Sequence, residues 1–350
     1  MRSFLRPMAG LACLFAMATA GCSAGSGGTS DAAPAAPEQS NSSSSTSSAD
    51  KGSGGASQTT SYEPYVSAEE ANANDSAGSP TTYNLAFVIS DGSSCTPKWN
   101  GTTAIDDPAV KSRIAKLTKS GASVRVSFGG ASGKELASVC DSASKLAAAY
   151  GKALDAAGAT LADFDVEGTQ LADSGSVALR SEAIAELQKD RPGLRVSFTL
   201  PVMPGGLDAD GLALLKSANK YDVQVSVVNI MTMNYGESYT ADMGDYALTS
   251  AKATHTQLKE VFGLSDAAAW RGMALTSMLG VNDVANETFS LSDAAQVRTF
   301  AEEKEIAWVS MWSTFRDQQC EDGRAAQDDA ATDCSGVKQS SGAFAEAFSG

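Results

Sequence analysis

Histidine is almost missing from this 350-residue chain: His255 is the only one. A single imidazole excludes sites built on two, such as the His-rich zinc sites. His255 lies in a polar, helical stretch, Thr254-His255-Thr256-Gln257, which predicts a surface position rather than a role in a Ser-His-Asp triad. Positive charge is also short. Lys and Arg number 26 against 41 Asp and Glu, for a formal net charge of −15. Binding nucleic acid needs clustered Lys and Arg on the phosphates, so nucleic acid is excluded as a partner. No Gly-x-Gly-x-x-Gly run follows the first strand pattern, which removes the main sign of a dinucleotide site. The apolar run at residues 8–20 is thirteen long. A bilayer span needs about 20.

What that run does form is an export pattern. Arg2 and Arg6 precede it, and small residues and Gly21-Cys22 follow. The tetrapeptide Thr19-Ala20-Gly21-Cys22 resembles the bacterial lipobox, with Thr19 where leucine is usual. That resemblance implies cleavage before Cys22 and a lipid on its sulfur. Residues 23–60 are mostly Ser, Gly, Ala, Pro and Thr, and seven of the nine residues 40–48 are serine. Such a segment buries too little apolar surface to offset its chain entropy, so it reads as a flexible tether. The expected organisation is a signal at 1–21, a lipid-anchored linker at 22–60 and one domain at 61–350. The protein would sit on the outer face of the cell membrane, or be secreted, as a monomer.

Six cysteines fit an oxidising compartment. Cys13 leaves with the signal and Cys22 is the anchor. Four remain, with three possible pairings. Cys320 and Cys334 flank a polar loop and pair locally; Cys95 and Cys140 then pair by exclusion. Free buried thiols are the alternative. Neither pair has metal-ligand spacing.

From residue 62 onward, short β-branched runs alternate with Ala-rich helical stretches. The runs fall at 62–66, 84–90, 123–128, 161–166, 194–200, 223–231, 272–278 and 306–311; helical patterns fall at 134–157, 177–190, 209–217 and 250–261. Alternation of this kind predicts an α/β fold with a parallel sheet. Eight strands over this length predict a (β/α)8 TIM barrel, with an open doubly wound sheet as the rival. Pro64 makes the first strand the least regular.

In a barrel, chemistry sits where strands exit. The fourth run ends Asp163-Phe164-Asp165-Val166-Glu167. Residues two apart share a strand face, so the three acids line one side, with Phe164 and Val166 against helices. Carboxylates stacked in a core cannot all be charged cheaply, and should share protons and raise one another's pKa. A solvated edge strand, or a calcium or magnesium site, would also place acids this way.

These acids resemble the signature of glycoside hydrolase family 18, the chitinases, an acid-x-x-acid-x-acid-x-Glu run in which Thr160 here replaces the first acid. Other strands agree. Ser127-Phe128-Gly129-Gly130 resembles the family's Ser-x-Gly-Gly. Asn229-Ile230-Met231-Thr232-Met233-Asn234 resembles its Gln/Asn-x-Met-x-Tyr-Asp/Asn, with Met233 in the tyrosine place. Met311-Trp312 resembles the strand end bearing the tryptophan that floors the sugar site. The stretch Met278-Leu279-Gly280-Val281-Asn282-Asp283 and the pair Arg316-Asp317 look like the archaeal-type and actinobacterial branch.

The resemblance implies cofactor-free hydrolysis of β-1,4-linked N-acetylglucosamine polymers, chitin and its oligomers, in which the substrate's acetamido oxygen is the nucleophile. Glu167 would be the acid and base, Asp165 would orient the acetamido group, and Asp163 would share a proton with Asp165. Trp312 would floor the sugar. Tyr235 would replace the missing tyrosine if the strand bulges, and Asn234, Met231, Met233 and Ser127 complete the implied substrate contacts. An endo-β-N-acetylglucosaminidase acting on glycoprotein glycans is a second reading, and a non-catalytic chitin-binding lipoprotein a third. No separate carbohydrate-binding domain is visible in the sequence.

Overall fold

The computed structural model describes residues 59–321 and 333–350. All lie in the second of the two units, 1–55 and 56–350, into which the chain divides. The export signal, most of the linker and Cys22 lie outside the described residues. Thr60, assigned to the linker, is already part of the fold. It is buried, and its hydroxyl donates to the carbonyls of Ala301 and Ile306.

The strands in chain order are β1 (Ser61–Tyr62), β2 (Tyr65–Ser67), β3 (Thr82–Ser90), β4 (Pro97–Trp99), β5 (Thr103–Ala104), β6 (Ser123–Gly129), β7 (Leu161–Asp165), β8 (Arg195–Pro201), β9 (Val225–Met231), β10 (Met273–Met278), β11 (Gly280–Val281), β12 (Thr288–Phe289) and β13 (Trp308–Trp312). The α-helices are α1 (Pro108–Leu117), α2 (Ala143–Ala157), α3 (Thr169–Ala172), α4 (Ser174–Asp190), α5 (Ala209–Lys220), α6 (Met243–Phe262), α7 (Asp266–Arg271), α8 (Leu291–Lys304) and α9 (Ala343–Ser349).

Parallel pairing runs β1, β13, β10, β9, β8, β7, β6, β3, with β2 also on β3. The eight runs read from the sequence are therefore strands of one parallel α/β sheet. The hydrogen-bonded ladder does not close into a ring. The first run splits at Glu63-Pro64, so that β1 pairs with β13 and β2 pairs with β3. Proline has no N–H to give to a ladder. The Pro64 carbonyl still accepts from the Asn84 N–H at 2.9 Å.

Alternation along β7 places Phe164 on the helix side, where its ring meets Phe128 at 5.3 Å, Tyr150 at 4.9 Å and Phe198 at 5.8 Å. All four side chains are fully buried. Burying each stabilises the fold by roughly 1.5–3 kcal/mol, and it locks the opposite face of β7 toward the strand interior.

Two local expectations change. The helical pattern at 134–157 yields a helix only from Ala143. Before it, Glu135 caps a single 3-10 turn (Leu136–Ser138), Cys140 is tied to Cys95, and the Ser142 hydroxyl caps the true helix start. His255 is not a surface residue. It is 7% exposed and stacks on Trp270 at 3.9 Å, because α7 folds back over α6. The described cysteines form two disulfides, Cys95–Cys140 and Cys320–Cys334.

Candidate active site

The floor of the site is set by β7. Asp163 is 1% exposed and accepts four hydroxyl donors: Tyr65 at 3.0 Å and Ser127 at 2.7 Å on Oδ2, Ser197 at 2.7 Å and Thr199 at 2.8 Å on Oδ1. Register explains the fit, since Ser127 and Ser197 are the direct partners of Asp163 on the two neighbouring strands. The polar chain continues outward. Asn229 Nδ2 donates to Thr199 at 3.0 Å, and Thr276 donates to Asn229 Oδ1 at 2.9 Å.

Asp165, two residues on, is 5% exposed, and its Oδ1 is buried without a hydrogen-bond partner. Burial pushes its carboxyl well above the ordinary range, helped by the negative charges of Glu167 and Asp163. Glu167 is also raised, first by burial and further by the charge of Asp283, while its interaction with Asp165 opposes the rise. The acids that interact through their side chains are therefore Asp165 and Glu167. The expected proton-sharing between Asp163 and Asp165 has no geometric support, because hydroxyls occupy both Asp163 oxygens.

Gly129 and Gly130 hold Asp165 from the next strand. The Gly130 N–H donates to the Asp165 carbonyl at 3.0 Å. Gly129 has φ 105°, a region that glycine adopts without steric cost, and its bare Cα lies against the same carbonyl.

Above these acids lies a cleft of about 700 Å³, within the range of small-molecule sites. Asp165, Glu167, Met231, Met233, Asn234 and Trp312 all line it. So do residues the sequence reading missed, among them Tyr65, Phe87, Thr276, Met278 and Asp283. Tyr65 and Phe87 come from β2 and β3, Thr276 and Met278 from β10, and Asp283 from the loop between β11 and β12. Trp312 stacks on Phe87 at 5.5 Å and meets the edge of Tyr65 at 5.9 Å, which makes an aromatic platform. Among the described residues, no Lys, Arg or His lines the cleft. It therefore suits a ligand with polar edges and apolar faces and no negative charge. Among the described residues, no group of three His, Cys, Asp or Glu side chains could hold a metal ion.

Two expected contacts are corrected. Ser127 is fully buried and spends its hydroxyl on Asp163, so it does not line the cleft. Tyr235 is 3% exposed and packs on Tyr239 and Tyr246, outside the cleft lining. The cause is Asn234, whose φ of 53° turns the chain after β9. Asn234 then binds Asp283 twice, Nδ2 to Oδ2 and Oδ1 from its N–H, both at 3.1 Å. Glu287 accepts the Gly236 N–H at 2.7 Å and fixes the turn. Arg316 and Asp317 are structural: Arg316 donates to the Leu279 and Val281 carbonyls, and Asp317 accepts the Phe344 and Ala345 N–H groups at the start of α9.

No family model matches the chain. Over 275 residues, 73% of its length, it is 33% identical to a "Probable bifunctional chitinase/lysozyme" of Escherichia coli (strain K12), covering 31% of that protein. Over 249 residues, 67% of its length, it is 32% identical to "Endochitinase 11" of Metarhizium anisopliae, covering 47% of it. The chain thus spans less than half the length of these curated relatives. Its structure matches catalytic-site mutants of active domain 2 of a thermostable chitinase from Pyrococcus furiosus complexed with chito-oligosaccharides. The TM-score is 0.72 with 28% identity, over 84% of this chain and 96% of that one. A GH18 chitinase from Pseudoalteromonas aurantia shares the fold at 14% identity and TM-score 0.55, over 73% of this chain and 94% of that one. In sequence and in fold the chain is therefore similar to glycoside hydrolases of the chitinase type. More particularly, its fold is one it shares with a glycoside hydrolase family 18 chitinase.

Proposed function

We propose that this domain hydrolyses β-1,4-linked N-acetylglucosamine chains by a retaining mechanism in which the substrate's 2-acetamido oxygen is the nucleophile. The observation that carries this is the pair Asp165 and Glu167. Both lie at one strand exit, interact with each other, and are raised toward the protonated state. Two carboxyls this close to one another are poorly placed to flank an anomeric carbon from opposite sides. They can serve one face of it, and the attacking atom then has to come from the substrate.

Glu167 gives its proton to the leaving glycosidic oxygen and then takes one from the incoming water. Asp165 offers its unpartnered Oδ1 to the acetamido N–H and stabilises the positive charge that grows on the oxazolinium ring. Asp163, fixed by its four hydroxyls, keeps β7 in register and adds negative charge beneath Asp165. Trp312 supplies the apolar floor, and Asn234 and Asp283 supply polar contacts at the rim. The architecture we propose is the (β/α)8 barrel, with its seam at Glu63-Pro64. The Pyrococcus likeness favours the archaeal-type branch.

The test is a fluorogenic chitobioside assay on wild type and Glu167→Gln. The variant should lose at least about 10²–10⁴-fold in kcat and still bind chito-oligosaccharide by calorimetry. The first product should be the β anomer. An α-anomer first product, or brisk cleavage of sugars lacking the acetamido group, would refute the substrate-assisted route.

We further propose export, with Cys22 carrying the lipid. The lipobox-like tetrapeptide and the two disulfides support this reading. Mass spectrometry of the mature N-terminus would reject it by finding an unlipidated start elsewhere.

A further inference from the structure

Behind the cleft wall lies a buried ion pair that the mechanism above does not use. Glu135 is 3% exposed and Arg180, on α4, is 1% exposed. Glu135 Oε2 accepts Arg180 Nη2 at 2.7 Å and the Ala137 N–H at 2.8 Å; Oε1 accepts the Tyr150 hydroxyl, from α2, at 2.7 Å. Arg180 Nε and Nη1 are buried with no partner. A pair with two unmet donors is a poor stabiliser, because desolvation offsets much of the attraction. Its position is more informative than its energy.

Glu135 ends the segment that leaves β6 and forms one wall of the cleft through Ala131, Ser132 and Gly133. It also backs onto Gly129. A Cβ built there would stand 3.5 Å from Glu135 Cγ on one side, with the Asp165 carbonyl on the other. The segment is fixed at four further points: Gly130 to the Asp165 carbonyl, the Lys134 carbonyl to the Ser90 N–H, the turn capped by Glu135 itself, and Cys140 to Cys95. The Glu135–Arg180–Tyr150 cluster ties it to the outer helices α2 and α4 by side-chain hydrogen bonds.

We infer that Glu135, held by Arg180 and Tyr150, is a positioning residue for catalysis: it sets the cleft wall 131–133 and, through Gly129, the placement of Asp165. This rests on the hydrolase reading above. Displacement of a reacting group by about 1 Å costs up to about 10²-fold, so a shift of a fraction of that matters.

The experiment compares wild type with Glu135→Gln, Arg180→Lys, Arg180→Met and Tyr150→Phe, all assayed well below their melting temperatures. Steady-state kinetics on chito-oligosaccharides is run beside hydrogen exchange of amides 130–134. Glu135→Gln and Arg180→Met should lower kcat/KM about tenfold, with part of the loss in kcat, and speed exchange across 130–134. Arg180→Lys, which keeps the charge, should recover part of the activity. Tyr150→Phe keeps the core volume and is expected to fold; it should raise KM about twofold. A purely structural cluster would lower melting temperatures and leave kcat, KM and exchange at 130–134 unchanged, and that result overturns the inference. If Glu135→Gln fails to fold, unchanged kinetics in both Tyr150→Phe and Arg180→Lys overturn it equally. An inactive wild type defeats the hydrolase reading and this role with it. An active wild type with unaffected variants defeats this role alone.

Discussion

Gly129 and the carbonyl of Asp165 are in contact so close that a Cβ on Gly129 would collide with the oxygen. The neighbouring strand therefore reads the backbone of the candidate catalytic strand directly, with no side chain between them. Gly129→Ala must move β7 or strain a left-handed backbone. We expect a loss of about 1–3 kcal/mol in stability together with a large fall in kcat. Urea melts and initial rates on the same preparation check both. A stable, fully active Gly129→Ala would mean that this contact is slack.

Asp165→Asn should inactivate the domain and stabilise it at neutral pH. The native carboxyl is raised by burial and by two neighbouring charges, so the folded chain holds a proton that the unfolded chain sheds above roughly pH 3.9. Stability from this group is present below that pH and is lost as pH rises through the native pKa. A neutral amide escapes that loss. The melting temperature of Asp165→Asn should exceed that of wild type at pH 7, and the difference should shrink toward pH 4. A lower melting temperature at pH 7 would contradict this.

Asp283→Asn should move the alkaline limb of the pH–rate profile to lower pH. The charge of Asp283 is one of the influences that keep Glu167 protonated, and removing it lets Glu167 release its proton sooner. Asp283 is exposed, so added salt should reduce the difference between variant and wild type. A limb displaced upward would assign the effect to something other than charge.

The two disulfides should differ in weight. Cys95–Cys140 closes 45 residues and Cys320–Cys334 closes 14. Chain-entropy arguments give about 4 and about 3 kcal/mol respectively. The paired Cys→Ser variants, compared by denaturant melts, should follow that order. The first bridge also anchors the cleft wall, so its loss should raise KM where loss of the second does not.

The parts of this structure that were legible in the sequence are those governed by period. The strands appeared as apolar runs, and the spacing of Asp163, Asp165 and Glu167 put them on one face of β7. What stayed hidden depends on contacts between distant segments. His255 looks polar and exposed in its own helix, but Trp270 and Asp266 from the next helix cover it. Tyr235 looks available in sequence, but one residue with positive φ, Asn234, turns it into an aromatic cluster. Asp163 looks like a partner for Asp165 until Tyr65, Ser127, Ser197 and Thr199 arrive from three other strands to occupy it. The helix expected from residue 134 was delayed by a cap and a cross-link that composition does not encode.

The platform under the cleft joins Tyr65 to Trp312, residues from β2 near the start of the parallel sheet's sequence and from β13, its last strand. During synthesis the acids of β7 are made when little more than a third of residues 61–350 has been assembled, but Trp312 is made almost 150 residues later, on the order of ten seconds or more at usual elongation rates. A nascent or prematurely terminated chain thus carries its acids without a surface on which to seat a sugar. The candidate site comes into being only with the final strand of the parallel sheet, so that strand is itself a condition of the proposed activity.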